Sequence, residues 1–129
     1  LKFTRNFIRS KIIPPLRKIN PNIAKTTAEN SQNLRQIQDF LESESHVWIK
    51  KNAISKDHTK FPLRKFISLH PAIRNQILIE LHRQLIGDTK NLQKINIAEI
   101  RQMLASGRGN KKHQFGRLVV SVKNAIIQL

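Results

Sequence analysis

The sequence predicts a mainly α-helical fold with a minor β component: a bent basic helix, a long linking helix, and a small helical domain ending in a β-hairpin. Three observations predict it. Leu34, Ile37, Leu41 and Trp48 recur at helical spacing within residues 21–51. Ile73, Ile77, Leu78, Leu81, Leu85 and Ile86 form a wide apolar stripe between His70-Pro71 and Gly87. Leu118 to Val122 and Ala125 to Leu129 are short apolar runs rich in Val and Ile, joined through Lys123-Asn124, and they read as paired strands.

Taken in order, Thr4 caps a first helix whose apolar positions are Phe7, Ile8 and Ile12, interleaved with Arg5, Arg9 and Lys11. Pro14 and Pro15 remove backbone donors and bend or break that helix. Leu16 to Ile19 adds a short turn, and Asn20-Pro21 reads as N-cap and first residue of the linking helix. The narrow seam of Leu34, Ile37, Leu41 and Trp48, with Glu44 filling its gap, suits a helix–helix dimer or an interdomain contact. Residues 52–62 lose periodicity and read as a loop or short extended segment. The boundary is placed there, giving an arm over 1–55 and a compact domain over 56–129.

Within that domain, Leu63 to Leu69 suggests a short helix with Leu63, Phe66 and Ile67 inward. His70-Pro71 starts the striped helix, with Pro at its first position and Gly87 ending it. Asn96 to Glu99 is a capping box opening a further helix that Gly107 terminates. Ser106 to His113 reads as a Gly-rich basic loop. A lone hairpin is marginal in water, so the terminal strands must pack on helices. Phe40, Phe66 and Trp48 occupy apolar helical positions and read as core.

Charge dominates the composition. Twenty-four Lys and Arg oppose eight acidic residues over 129 positions, a formal +16 with pI near 11.3. Residues 1–20 alone hold six Lys or Arg and no acid. This imbalance implies a polyanionic partner. No run of 18 apolar residues suggests a membrane span, and without cysteine there is neither a disulfide framework nor a thiolate metal site. A cytoplasmic setting fits. The chain begins without methionine inside a helical-looking segment and is read as a fragment.

No catalytic constellation emerges. No Gly-rich phosphate loop follows a strand, and Gly107-Arg108-Gly109 follows a helix, so it reads as a C-cap and loop. His46, His58, His70, His82 and His113 form no close ligand pair, so no metal site is expected. Arg5 and Arg9, at i and i+4, share a helix face and can grip phosphate or carboxylate oxygens. Arg64, Lys65, Arg74, Arg101, Arg108, Lys111, Lys112, Arg117 and Lys123 are candidate RNA-phosphate contacts. Aromatics are 5% of the chain, with no Tyr, which favours recognition of RNA shape and backbone over base stacking.

Arg5-Asn6, Arg9, Ile12-Ile13-Pro14, Leu16 and Asn20-Pro21-Asn22 resemble the segment that follows the nucleotide-binding domain in tRNA(Ile)-lysidine synthetases. The helical stretch leading to a terminal hairpin is similar to that family's later module. The family joins lysine to the wobble cytidine of an isoleucine tRNA using ATP. The resemblance implies tRNA as partner, and it implies that Arg5, Asn6 and Arg9 lie at the ATP-phosphate and substrate site. ATP and Mg are cofactors of the parent enzyme only. The family's Ser-Gly-Gly-x-Asp-Ser signature is absent, and Phe7 stands where many relatives have a basic residue. The fragment alone is therefore expected to be inactive. The alternative is a non-enzymatic basic helical RNA-binding or scaffold module of ribosome-associated type.

Overall fold

The computed structural model describes residues 2–87, 94–106, 111–115 and 118–129. Over these described residues it is mainly α, with six α-helices, one π-helical turn and a four-stranded antiparallel sheet. Two compact units are distinguished, Leu1–Asp39 and Phe40–Leu129.

In the first unit α1 spans Lys2–Phe7, a π-helical turn spans Ile8–Ile12, and α2 spans Ile13–Ile19. Thr4 lies inside α1, so it does not cap the helix as expected. The Ile13 N–H bonds to the Ile8 carbonyl, five residues back, and widens the turn. Pro14 and Pro15 then fall in the first turn of α2, where a missing N–H removes no helical hydrogen bond. The prolines thus reset the helix instead of ending it. Asn20 is extended, at φ −138° and ψ 99°, and terminates α2. Its Oδ1 accepts from the Asn22 N–H at 3.0 Å and its carbonyl from the Ile23 N–H at 3.1 Å. Asn20 therefore supplies the expected cap, although α3 itself is Ile23–Asn52.

The second unit holds the core. Ser45 and Ile49 are the buried residues of α3, while Leu34, Ile37 and Phe40 are 66%, 55% and 60% exposed. The expected core place of Phe40 is thus wrong, and exposed Glu44 is replaced in the seam by Ser45. Ser45 is tolerated inside because its hydroxyl donates to the Glu42 carbonyl at 2.8 Å. Trp48, partly buried, stacks on Phe61 at 5.4 Å between ring centroids and meets Phe66 edge-on at 5.8 Å. These contacts join α3 to β1 (Lys60–Pro62) and α4 (Leu63–Ile67), each worth about 0.5–1.5 kcal/mol beyond buried area.

α5, Pro71–Ile86, opens as expected: His70 Nδ1 accepts from the Ala72 N–H at 3.2 Å. It closes on Gly87 at φ 87°, a left-handed conformation that glycine adopts without strain. Ile77, Leu78 and Leu81 are buried, whereas Leu85 and, on α4, Ile67 remain more than one-third exposed. α6, Lys94–Ala105, begins before Asn96, which therefore does not cap it; Ile100 and Leu104 enter the core. The expected stop at Gly107 lies outside the described residues.

The sheet order is β1-β4-β3-β2, with β2 at Lys111–Phe115, β3 at Leu118–Lys123 and β4 at Ile126–Gln128. The predicted hairpin is β3–β4. Lys111, Lys112 and His113, expected in a loop, instead form strand β2, because β3 offers them a complete ladder from Lys111↔Val122 to Phe115↔Leu118. The hairpin turn places Asn124 and Ala125 at φ 52° and 59°. Both values are positive, as a two-residue turn matching strand twist requires. The Ala125 carbonyl also accepts the Leu63 N–H at 2.8 Å, tying this turn to the start of α4.

Among the described residues of this unit, Glu80 is a carboxylate held in the interior. Glu80, 4% exposed, accepts from His46 Nε2 at 2.9 Å, Arg83 Nη1 at 3.0 Å and Gln84 Nε2 at 2.9 Å. Arg83 also reaches Glu42 at 3.7 Å, so α5 is tied to the second-unit part of α3. Burial pushes the Glu80 carboxyl up, but hydrogen bonds from His46 and Gln84 and the charges of His46 and Arg83 outweigh it and hold the carboxyl below its ordinary range.

Two predictions follow from this packing. The folded Glu80 carboxyl titrates below its ordinary value of 4.5, so its stabilisation is present above that value and disappears as pH falls through the lower folded one. Glu80→Gln should lower unfolding free energy at neutral pH by about 1–3 kcal/mol and flatten the acid limb of a urea-denaturation series run from neutral to acid pH. Ala125→Gly should raise stability by about 0.5–1 kcal/mol in thermal melts. Relief of about 1–2 kcal/mol of left-handed strain exceeds the roughly 0.4–1 kcal/mol of added unfolded-chain freedom.

Candidate nucleic-acid interface

Arg5, Asn6 and Arg9 are exposed in the first unit. Thr4, Arg5, Ile8 and Arg9 line one shallow depression, so the two guanidinium-bearing residues do share a face. Ser10 Oγ donates to the Asn6 carbonyl at 2.8 Å beside the π-helical turn. No acidic residue lies within 1–20 to neutralise this segment. The arrangement suits phosphate or carboxylate oxygens, which a guanidinium meets with two parallel donors.

In the second unit the sheet separates two sets of side chains. Phe61, Val120, Val122 and Ile127 point into the core and are at most 3% exposed. Alternation along each strand places Lys60, Lys112, Ser121, Lys123 and Gln128 on the opposite face. Lys60, Gln128, Ser121 and Lys112 form one cross-strand row, since each is the register partner of the next. Lys123 pairs with Ile126 in the adjacent row. Lys111, Lys112, Ser121, Val122, Lys123 and Gln128 line a shallow depression there.

Neighbouring segments hold both edges of this sheet. Asp57 Oδ1 accepts from the Thr59 N–H and hydroxyl at 3.2 and 2.8 Å, and Ser55 Oγ accepts from the Thr59 and Lys60 amides, each at 3.1 Å. Hydrogen bonds from Ser55 and then Thr59 hold the Asp57 carboxyl below its ordinary range. The loop is thereby folded, and Lys60 enters β1 in fixed register. At the other edge Glu99 on α6 meets His113 Nε2 at 3.1 Å, and Lys111 Nζ donates to Ser106 Oγ at 3.2 Å. The Glu99–His113 contact is an ion pair only when the imidazole is protonated.

The predicted contact residues thus divide. Lys111, Lys112 and Lys123 come together on the sheet. Arg64 and Lys65 are exposed on α4. Arg74 is half-buried on α5, its Nε enclosed without a hydrogen bond, and Arg101 lines a separate depression with Asn75, Ile79, Ile97 and Ala98. Arg108 and Arg117 lie outside the described residues. Lys60 was not singled out in the sequence. Its signal is slight, because β1 has only three residues and its alternation shows only after pairing with β4.

Among the described residues no group of three or more His, Asp or Glu is placed to hold a metal ion, and no helix is long and apolar enough to cross a membrane. No protein-family profile matches the chain. Over 112 residues, or 84% of its length, it is 26% identical to the tRNA(Ile)-lysidine synthase of Clostridioides difficile (strain 630). The chain spans about a quarter of that relative, 24% of its length. That similarity, falling on a chain with the basic elbow, the terminal hairpin and the cationic sheet face, is consistent with a fragment of the tRNA(Ile)-lysidine synthase family.

Proposed function

We propose that this chain is the tRNA-binding portion of a tRNA(Ile)-lysidine synthetase, a cytoplasmic enzyme that ligates lysine to the wobble cytidine of isoleucine tRNA using ATP. The observation that carries this reading is the match to such a synthase along 84% of the chain. In this reading Arg5, Asn6 and Arg9 reach the reacting groups, where adenylation and aminolysis build negative charge on phosphate oxygens that cations stabilise. The two arginines fit phosphate. Among the described residues no carboxylate cluster is placed to hold Mg. Nucleotide binding is assigned to a domain other than these 129 residues, and the chain alone transfers no lysine. Of the seam residues, Leu34 and Ile37 on α3 are exposed and offer a helix face for an interdomain or helix–helix contact, whereas Trp48 is taken up by Phe61 and Phe66.

The test is ATP-dependent incorporation of labelled lysine into isoleucine tRNA by the intact gene product. Arg5→Ala with Arg9→Ala should lower kcat/KM by about 100-fold or more, in line with loss of preorganised charge at a developing anion, without shifting the melting temperature. Intact product that binds tRNA yet transfers no lysine would instead favour the non-enzymatic RNA-binding module.

A further inference from the structure

We infer that the open face of the four-stranded sheet is the surface that docks RNA, and that it grips the sugar–phosphate backbone of a double-helical stem through Lys60, Lys112 and Lys123. The inference rests on the tRNA-binding reading above and assigns it a place and a mode. Lys60 and Lys112 end a row that crosses all four strands through Gln128 and Ser121. Three strand spacings of about 4.8 Å put their backbones roughly 14 Å apart. Lys123 stands one row away, and all three lysines are exposed. Among the described residues this face carries no Asp or Glu, so its charge is uncompensated.

The face also lacks aromatic residues among those described, which decides the kind of RNA. Single strands are held by stacking bases on aromatic platforms, and none is offered here. A duplex stem keeps its bases paired and presents phosphates and 2′-hydroxyls over a wide, shallow minor groove. Lysines are point charges on flexible stems and can follow phosphates without a fixed fork geometry. Ser121 and Gln128 between them supply polar groups at the height of the sugars. An acidic protein segment would need pockets for its side chains, whereas the depression here is shallow and lined mainly by Lys, Ser and Gln. The face is therefore matched to backbone shape, not to sequence.

The experiment compares the 129-residue protein with Lys60→Gln/Lys112→Gln/Lys123→Gln and with the control Lys50→Gln/Lys51→Gln/Lys56→Gln, which removes equal charge from other exposed positions. Circular dichroism and melting confirm that each variant folds. Binding is measured to isoleucine tRNA, an RNA duplex, one of its strands alone, and polyglutamate at about 50 and 200 mM salt. Each phosphate contact contributes about 0.7–0.9 to the slope of log affinity against log salt, so the sheet variant should lose about 2–3 from that slope. The wild type's fall in affinity between the two salts should then exceed the variant's by about 20- to 40-fold. The control should keep the wild-type slope, and the wild type should prefer duplex over single strand and polyglutamate. A sheet variant with the wild-type slope on tRNA overturns the docking face while leaving the tRNA reading intact. An equal loss in the control, or equal lysine-dependent binding of single strand or polyglutamate, overturns it as well. Wild type that binds no tRNA overturns both.

Discussion

The register of one small sheet governs what this protein can present to a partner. Phe61, Val120, Val122 and Ile127 each bury an apolar side chain on the same face. A slip of one residue in β1 or β3 would turn Phe61, or Val120 and Val122, outward and bring Lys60 or Lys123 inward. The register is therefore held by burial of the inward set, with each large apolar side chain contributing about 1.5–3 kcal/mol against exposure. Lys60, Lys112 and Lys123 share the open face as a consequence of that burial. The pleat of the sheet converts a packing constraint into a charge pattern.

Around the sheet, polar contacts do local positioning that packing alone leaves loose. The Ser55–Asp57–Thr59 turn delivers the chain into β1, and the bond from Leu63 to Ala125 ties the hairpin to α4. Glu80 stands apart from these because it is a charge in the interior. Such a group is tolerated when its lone pairs are met, and three side-chain donors meet them here. Aromatic contacts from Trp48 supply the complementary apolar tie between α3, β1 and α4.

The first unit obeys a different logic. It buries little of its apolar surface: Phe3 is 90% exposed, Ile19 83% and Leu34 66%. Its order comes from helical hydrogen bonding, including a π-turn that lets Pro14 and Pro15 sit where no donor is required. Arg5 and Arg9 are held at one helix face by that backbone and not by side-chain packing.

Local signals were readable in the sequence because their causes act within a few residues. Pro71 and Gly87 bounded α5 through fixed φ and freedom at positive φ, and Asn20 announced the cap. The β3–β4 hairpin was legible for the same reason. What only the tertiary structure decided depends on groups far apart in the chain. Lys111 to His113 became strand because β3 stood beside it, and Phe40 stayed exposed although its spacing suited a core position. Periodicity marks which residues share a face, but not whether anything covers that face. Lys60, 52 positions from Lys112, joined it on the sheet through two intervening strands whose alignment is set by burial, a non-local interaction no short window contains.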